Sequence, residues 1–351
     1  MIEFKLPSLG ADMDEGKLLE WKVKPGDQVK RGDLVAVVET PKAAVDIEIW
    51  QDGVVHELIT QPGTTIPVGT VMARLIAEGE AAPAPAPMAA PERRPASPAA
   101  RKRARELEVD IDKLAGTGPH GAVTVEDVEK AAKPAAPVDR NAEMRKAIAA
   151  AMSRSKREIP HYYLSETVSL ERAAAWLEAE NARRPLPERM LMAVLCLKAV
   201  ALACKAYPDM NGHYVDNAFR PANSVHAGVA ISLRQGGLIA PAIHEVEKLP
   251  LPELTKKLAD LVKRARAGSL KSSEMSDPTI TVTNLGEGGV QTVFGIIYPP
   301  QVALVGFGSV SRAPAPTVVA SLAADHRVSD GHRGALFLAE IAKLLQQPET
   351  L

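Results

Sequence analysis

The sequence predicts a multidomain chain, in which an all-β domain, a small helical domain and a larger α/β domain are joined by two linkers. Three observations predict it: a repeat confined to the first 78 residues, an alanine- and proline-rich tract behind it, and about 210 downstream residues of mixed helical and strand pattern. At 351 residues the chain also exceeds the length at which a single core usually keeps growing.

The repeat comes first. Gly16, Glu20, Pro25, Gly26 and Gly32 reappear as Gly53, Glu57, Pro62, Gly63 and Gly69, each displaced by 37 positions. The apolar pairs Val29/Ile66, Leu34/Val71 and Ala36/Ala73 keep that offset. Runs such as LLEWKV and LVAVV stand between Pro-Gly turns, so the two halves read as stacked half-sheets that need each other to close a core over residues 1–78. Lys42 lies where the first half ends, and its neighbours Thr40, Pro41, Ala43 and Ala44 predict a tight exposed turn. Most lysines are simply solvated. Its place on the seam of the repeat sets this one apart.

Residues 79–97 are almost wholly Ala, Pro and charge (AAPAPAPMAAPERRPAS from position 81), a composition that cannot bury a core and predicts an extended, semi-stiff tether. The segment 98–132 predicts a helical unit near the lower size limit for independent folding. Ser97 caps its first helix, Pro98 occupies the first turn, the helix runs through Leu107, GTGPHG forms a loop, and Thr124 caps a helix from Val125 to Ala132. AKPAAPV, Ala132 to Val138, marks a second linker, placed over 133–139.

Residues 140–351 read as mixed α and β. Met144, Ile148, Ala151 and Met152 form one apolar helical stripe, and Leu191, Val194, Leu195 and Leu202 form another. Strand candidates are Tyr162 to Val168, Val225 to Leu233, Thr279 to Thr283, Gln301 to Phe307 and Val318 to Leu322. The last runs into ADHRVSDG, and a closing helix carries Leu338, Ile341, Ala342 and Leu345 on one face. His326 therefore falls in a strand-to-helix connection and Asp330 at a helix cap. A histidine there is more often structural than catalytic, and an Asp before a helix is usually a plain N-cap. The functional alternative is a neutral imidazole base beside a helix N-terminus.

Composition excludes several classes. Lys and Arg total 42 against 43 Asp and Glu, and a net charge of −1 gives no support to nucleic-acid or anionic-membrane binding. The longest apolar stretch, Leu191 to Cys204, is broken by Lys198 and too short to span a bilayer. MIEFKLPSLG enters strand pattern at once, so no secretory signal is expected, and Cys196 and Cys204 on one apolar helix suit a reducing compartment, the cytoplasm. The sequence holds no CxxC pair, HExxH or G-x-S-x-G, so neither a metal site nor a serine hydrolase is expected. GFGSVS at Gly306 to Ser311 is no dinucleotide loop, because Pro314 and Pro316 follow where its helix would start.

Over almost its whole length the chain resembles the acyltransferase component of a 2-oxo acid dehydrogenase complex. VVETPKAAVDIE resembles the attachment segment of a lipoyl domain, which implies lipoic acid in amide linkage on Lys42 and a flattened barrel of two half-sheets over 1–78. SPAARKRARELEVDIDKLAGTGPHGAVTVEDVEKA resembles the peripheral subunit-binding domain. That likeness implies docking of dihydrolipoamide dehydrogenase or of a thiamine-diphosphate-dependent decarboxylase through Arg101 and Arg105, with Ala122 where the family commonly has a further arginine. TVTNLGEGG, YPPQVALVGFG and ADHRVSDGHRGALFL resemble the catalytic domain, whose fold is like that of chloramphenicol acetyltransferase.

The resemblance implies His326 as general base, Asp330 as support of the active-site loop and Thr283, in place of the family's usual serine, as hydroxyl donor to the oxyanion. It further implies coenzyme A as acyl acceptor, acetyl as the default acyl group with branched-chain and succinyl groups as alternatives, and a site shared between subunits of a homotrimer that builds a 24- or 60-chain core. The competing reading is a catalytically silent scaffold that binds dihydrolipoamide dehydrogenase. Members of that kind tend to lose the histidine of the DHR motif, which is present here as His326.

Overall fold

The computed structural model describes residues 1–8, 13, 15–40, 44–76, 96–107, 114, 116–118, 122–132, 140–233, 237–286 and 290–351. Lys42, positions 79–95 of the first linker and the whole of 133–139 lie outside the described residues. Two compact units separate, one made of Met1–Glu80 with Arg140–Leu351 and one of Ala81–Asp139.

The N-terminal part holds β1 (Ile2–Lys5), β2 (Glu15–Trp21), β3 (Gln28–Val29), β4 (Leu34–Glu39), β5 (Ala44–Glu48), β6 (Gly53–Leu58), β7 (Thr65–Pro67) and β8 (Val71–Ile76). They form two antiparallel sheets, ordered β1-β8-β6-β3 and β5-β4-β2-β7. Strands related by the 37-residue offset, namely β2 and β6, β3 and β7, β4 and β8, fall in opposite sheets. The repeats therefore interleave instead of supplying one sheet each. The repeated glycines explain how: Gly26, Gly32, Gly63 and Gly69 have φ of 96°, 94°, 90° and 84°, a left-handed backbone that costs glycine little. Leu18, Val38, Ile47, Met72 and Leu75 fill the space between the sheets. β4 and β5, which flank Lys42 in sequence, pair with Glu39 opposite Ala44.

The second unit contains α1 (Pro98–Glu106) and α2 (Val125–Ala132), as the capping signals predict. Ser97 Oγ accepts the Ala100 N–H at 3.1 Å. A core of Ala100, Ala104, Val123 and Val128 is small, so polar bonds matter more here. Asp127 accepts the N–H groups of Thr117 and Thr124, both at 2.9 Å, and those bonds hold its carboxyl well below the usual carboxylate range.

The remainder contains α3 (Arg140–Glu158), β9 (His161–Ser169), α4 (Glu171–Ala182), α5 (Met192–Ala206), β10 (Gly212–Val215), β11 (Ala218–Pro221), β12 (Ala227–Val229), β13 (Ile231–Ser232), β14 (Leu238–Ile239) and β15 (Ala242–Ile243). It continues with α6 (Leu251–Ala267), β16 (Leu270–Lys271), α7 (Ser272–Ser276), β17 (Ile280–Asn284), β18 (Ala303–Phe307), β19 (Thr317–Asp325) and α8 (Gly331–Leu345). A six-stranded mixed sheet runs β15-β12-β17-β18-β19-β9, with β12, β17 and β18 parallel and the others antiparallel. β16 stands outside that sheet and pairs in parallel with β5.

Two sequence expectations change. The strand expected over Val225 to Leu233 is broken after Val229, and Ile231 and Ser232 turn away to pair with Ile239 and Leu238, which buries both isoleucines. Leu191, assigned to an apolar stripe, sits at the N-cap of α5 with 63% of its surface exposed. The middle of α5, Val194 to Ala201 with Ala203 and Cys204, is buried, including Lys198, whose Nζ donates to the carbonyls of Val246, Glu247 and Leu249 at 3.2, 2.8 and 2.8 Å. Those bonds satisfy the one charge on an otherwise apolar face.

Ser97→Ala should cost roughly 1 kcal/mol of local stability, the usual worth of an N-cap. Amide hydrogen exchange in α1 of the full chain should quicken about fivefold, and Ser97→Asp should restore it.

Candidate active site at the β19–α8 junction

β19 is apolar apart from Thr317 and Ser321 until it reaches Asp325, whose surface is 0% exposed. A carboxylate cannot stay buried without partners. Arg327 supplies them, through its N–H at 2.9 Å, Nε at 3.0 Å to each carboxylate oxygen and Nη2 at 2.6 Å. The bond to Asp325 pushes the guanidinium pKa up, and the planar group also lies 3.9 Å from the centre of the Tyr214 ring. The pair clamps the two residues that bracket His326.

His326 is exposed, and its N–H donates to Pro160 O at 3.0 Å. The Tyr162 ring meets the imidazole edge-on, with centroids 5.4 Å apart at 72°. The Tyr162 and Ser329 hydroxyls lie 2.8 Å apart, which ties β9 to the loop on the far side of His326. A side chain at Gly334 would lie 2.9 Å from the Tyr162 hydroxyl, so a glycine leaves this ring its place.

Asp330 caps α8 as expected, accepting the Arg333 N–H at 2.9 Å. That bond first, then the His332 N–H, and after it the charges of His332 and His326 nearby, hold its carboxyl below the usual range. Arg333 turns back to Asp209 at 2.6 and 3.1 Å, and a cleft lined by Asp209, Phe219, Pro221, His326 and Ser329 opens in front of the histidine.

Thr283 lies elsewhere in the same sheet. On β17 it stands opposite Gly306 of β18, which stands opposite Ser321 of β19. Five residues along β19 and two strands across separate it from His326, about 16 Å by about 10 Å, or roughly 19 Å in all. One chain brings His326 and Asp330 together but leaves Thr283 out of reach.

On the small helical unit, Arg101 and Arg105 are exposed and make no ion pair among the described residues. Arg103, between them, is spent internally on Glu129 at 3.0 Å and Glu106 at 3.1 Å. Sequence reasoning did not assign roles to Asp325, Arg327, Tyr162 or the Asp209–Arg333 pair. An acidic residue closing an apolar strand was the signal for the first two.

The profile described as 2-oxoacid dehydrogenases acyltransferase (catalytic domain) matches residues 136–351, more than half of the sequence. The chain belongs to this acyltransferase family. Two further profiles match this acyltransferase, Biotin-requiring enzyme over residues 2–75 and e3 binding domain over 94–129. It is 31% identical to the dihydrolipoyllysine-residue acetyltransferase component of pyruvate dehydrogenase complex from Rhizobium meliloti, over 99% of this chain and 98% of that protein. It is 29% identical to the component of the same description from Rickettsia bellii, with 99% and 98% covered.

Among solved structures, a probable dihydrolipoamide acetyltransferase from Listeria monocytogenes superposes with a TM-score of 0.56 at 26% identity, covering 62% of this chain and 96% of that one. The Azotobacter vinelandii dihydrolipoamide acetyltransferase, in whose catalytic mechanism a serine, a histidine and an asparagine have been investigated, superposes with a TM-score of 0.55 at 26% identity, covering 62% and 98%. The chain is thus a dihydrolipoyl acyltransferase with a lipoyl domain, an e3-binding domain and an α/β catalytic domain, using covalent lipoic acid and coenzyme A within a multienzyme complex. No helix among the described residues is long and apolar enough to cross a membrane.

The tautomer of His161, which precedes Tyr162, is set by its partners. Nδ1 donates to Ile159 O at 2.8 Å and Nε2 accepts the Ile297 N–H at 3.1 Å. Burial lowers its pKa from 6.5, and burial followed by the charge of His244 lowers that of His226. Both groups favour the neutral form in the fold, so stability is full above the unfolded value of 6.5 and is lost as pH falls through it toward the folded pKa. The urea midpoint of the catalytic domain in the full chain should drop between about pH 7.5 and about pH 5.5, and His161→Gln should lessen that drop without removing the share of His226.

Proposed function

We propose that this chain is the acetyltransferase of a pyruvate-type dehydrogenase complex, with His326 as general base, Asp330 as its supporting residue and Thr283 as oxyanion donor. The observation that carries the assignment of the base is the presentation of His326 into an open cleft, gripped on both sides by the Asp325–Arg327 pair and held edge-on by Tyr162. The relatives that match from end to end, all described as acetyltransferase components of pyruvate dehydrogenase complex, support acetyl as the acyl group.

The chemistry asked of the histidine is modest. Moving a proton from a thiol of pKa about 8.5 to an imidazole of about 6.5 is uphill by roughly 2.7 kcal/mol, and a positioned base contributes about 10²- to 10⁴-fold in rate. His326 takes the proton from the coenzyme A thiol as the sulfur attacks the acyl carbonyl, and returns it to the departing sulfur. Thr283 donates a hydrogen bond to the negative charge that develops on the carbonyl oxygen. Since Thr283 and His326 of one chain lie roughly 19 Å apart along the sheet, we take them from adjacent subunits of a trimer that builds the larger core.

Lys42 is the attachment point in this reading, and its primary amine, at the seam between β4 and β5, fits an amide to lipoic acid. The bound group supplies a dithiol that carries the acyl chain as a thioester. The same reading divides the chain into a lipoyl domain over 1–78, a linker over 79–97, a subunit-binding domain over 98–132, a linker over 133–139 and the catalytic domain over 140–351. Arg101 and Arg105 dock an acidic surface of dihydrolipoamide dehydrogenase or the decarboxylase, which their lack of ion pairs among the described residues supports. The buried, unpaired thiols of Cys196 and Cys204 favour a reducing compartment, the cytoplasm.

His326→Ala should reduce acyl transfer to coenzyme A at least a hundredfold with an unchanged unfolding midpoint; an undiminished rate would overturn the assignment. Thr283→Ser should stay within a few-fold of the parent while Thr283→Val loses about 10²-fold in kcat. Rates with acetyl, isobutyryl and succinyl thioesters side by side should favour acetyl. The intact mass of protein from its native host should show one lipoyl group, absent from Lys42→Arg.

A further inference from the structure

The edge of the lipoyl domain is not free. β16 adds to it as a fifth strand, parallel to β5, with Leu270 opposite Val45 and Lys271 opposite Asp46. At the end of β5, Glu48 is only 8% exposed, although it belongs to the surface of its own domain. The partners of its carboxylate are all on the catalytic side. The Glu48 N–H donates to Ser272 Oγ at 3.1 Å, and its carboxylate accepts the Ser273 N–H and a Lys271 ammonium proton, each at 3.3 Å, together with the Ser273 hydroxyl. Met275 packs against the cores of both domains.

The catalytic domain holds this seat ready by itself. Arg264 grips Glu274 with both terminal nitrogens, at 2.5 and 2.6 Å, and Glu274 accepts the Lys271 N–H at 2.9 Å. The turn from β16 into α7 is therefore fixed before anything lands on it. Lys271 and Ser273 supply donors for one carboxylate and Ser272 Oγ accepts the main-chain N–H of the same residue, an arrangement without use inside the catalytic domain.

We propose that Leu270–Ser273 is a docking seat for the lipoyl domain of the same chain, entered by strand addition at β5 and latched by Glu48. The contact is built to be left. Only two residue pairs make the strand match, and a carboxylate and two hydroxyls that separate regain water, so much of what is lost on release is returned as hydration. The linkers keep the domain at high local concentration, so a weak seat is occupied without being permanent. Seated, the domain has its β5 edge covered. Neither the acyl group transferred nor modification of Lys42 enters this inference.

The test uses the full-length chain with Asp46→Cys and Lys271→Cys, positions directly opposite in the pairing and suited to a disulfide. Under mild oxidant this pair should close within one chain at least about tenfold faster than Asp46→Cys with Lys343→Cys on α8. Glu48→Gln, and separately Ser273→Ala, should slow closure about threefold or more; Ser273→Ala leaves the lipoyl domain untouched, so misfolding of that domain cannot account for its effect. Closure no faster than the control pair, indifference to both second-site changes, or a product that joins two chains each overturns the proposal.

Discussion

The buried ion pair between Asp325 and Arg327 is the constraint on which the active site depends. Asp325 is fully removed from water at the end of a central strand, where a lone carboxylate would cost several kcal/mol. Arg327 satisfies it from two residues away, and the backbone must bend tightly to let it. That bend projects His326 outward. Tyr162, Ser329 and the Asp330 cap then fix the far side of the loop, so the imidazole is placed by main chain more than by its own contacts.

The same sheet that presents His326 also sets a limit on it. Antiparallel pairing of β18 and β19 puts the end of β19 beside the start of β17, while Thr283 sits at the other end of β17. No side-chain motion within one subunit closes a gap of roughly 19 Å. An acyltransferase needs a base and an oxyanion donor within a few ångströms of one carbonyl. If His326 and Thr283 hold those two roles, as proposed, the site is completed by association, and assembly becomes a condition of activity and not merely a way of clustering sites.

Local signals were the legible part of the sequence. Ser97, Thr124 and Asp330 stand at caps because their side chains answer main-chain N–H groups within three residues. The 37-residue offset exposed the turn glycines, since a left-handed backbone requires them wherever it recurs. What the sequence could not show is pairing at long range. Interleaving of the repeats, the turn of Ile231 and Ser232 out of the main sheet, and the joining of Glu48 to residues more than 220 positions away depend on contacts between segments that carry no mark of each other. Arg101, Arg103 and Arg105 looked alike as a basic run, and only the position of Glu129 across the helix pair sets Arg103 apart from two arginines without an ion pair among the described residues.

The two cysteines take on a different meaning beside this chemistry. An enzyme that shuttles acyl groups among sulfur atoms has to keep its own sulfur out of the exchange, because any accessible thiolate competes for thioester or attacks a disulfide. Cys196 and Cys204, the only cysteines in the sequence, lie on the buried face of α5, and burial pushes the thiol of Cys196 up to about 12 and that of Cys204 higher still. Neither forms a nucleophile at physiological pH. The protein scaffold is thereby chemically silent toward the reaction it hosts, leaving the carrier and coenzyme A as the only sulfurs in play.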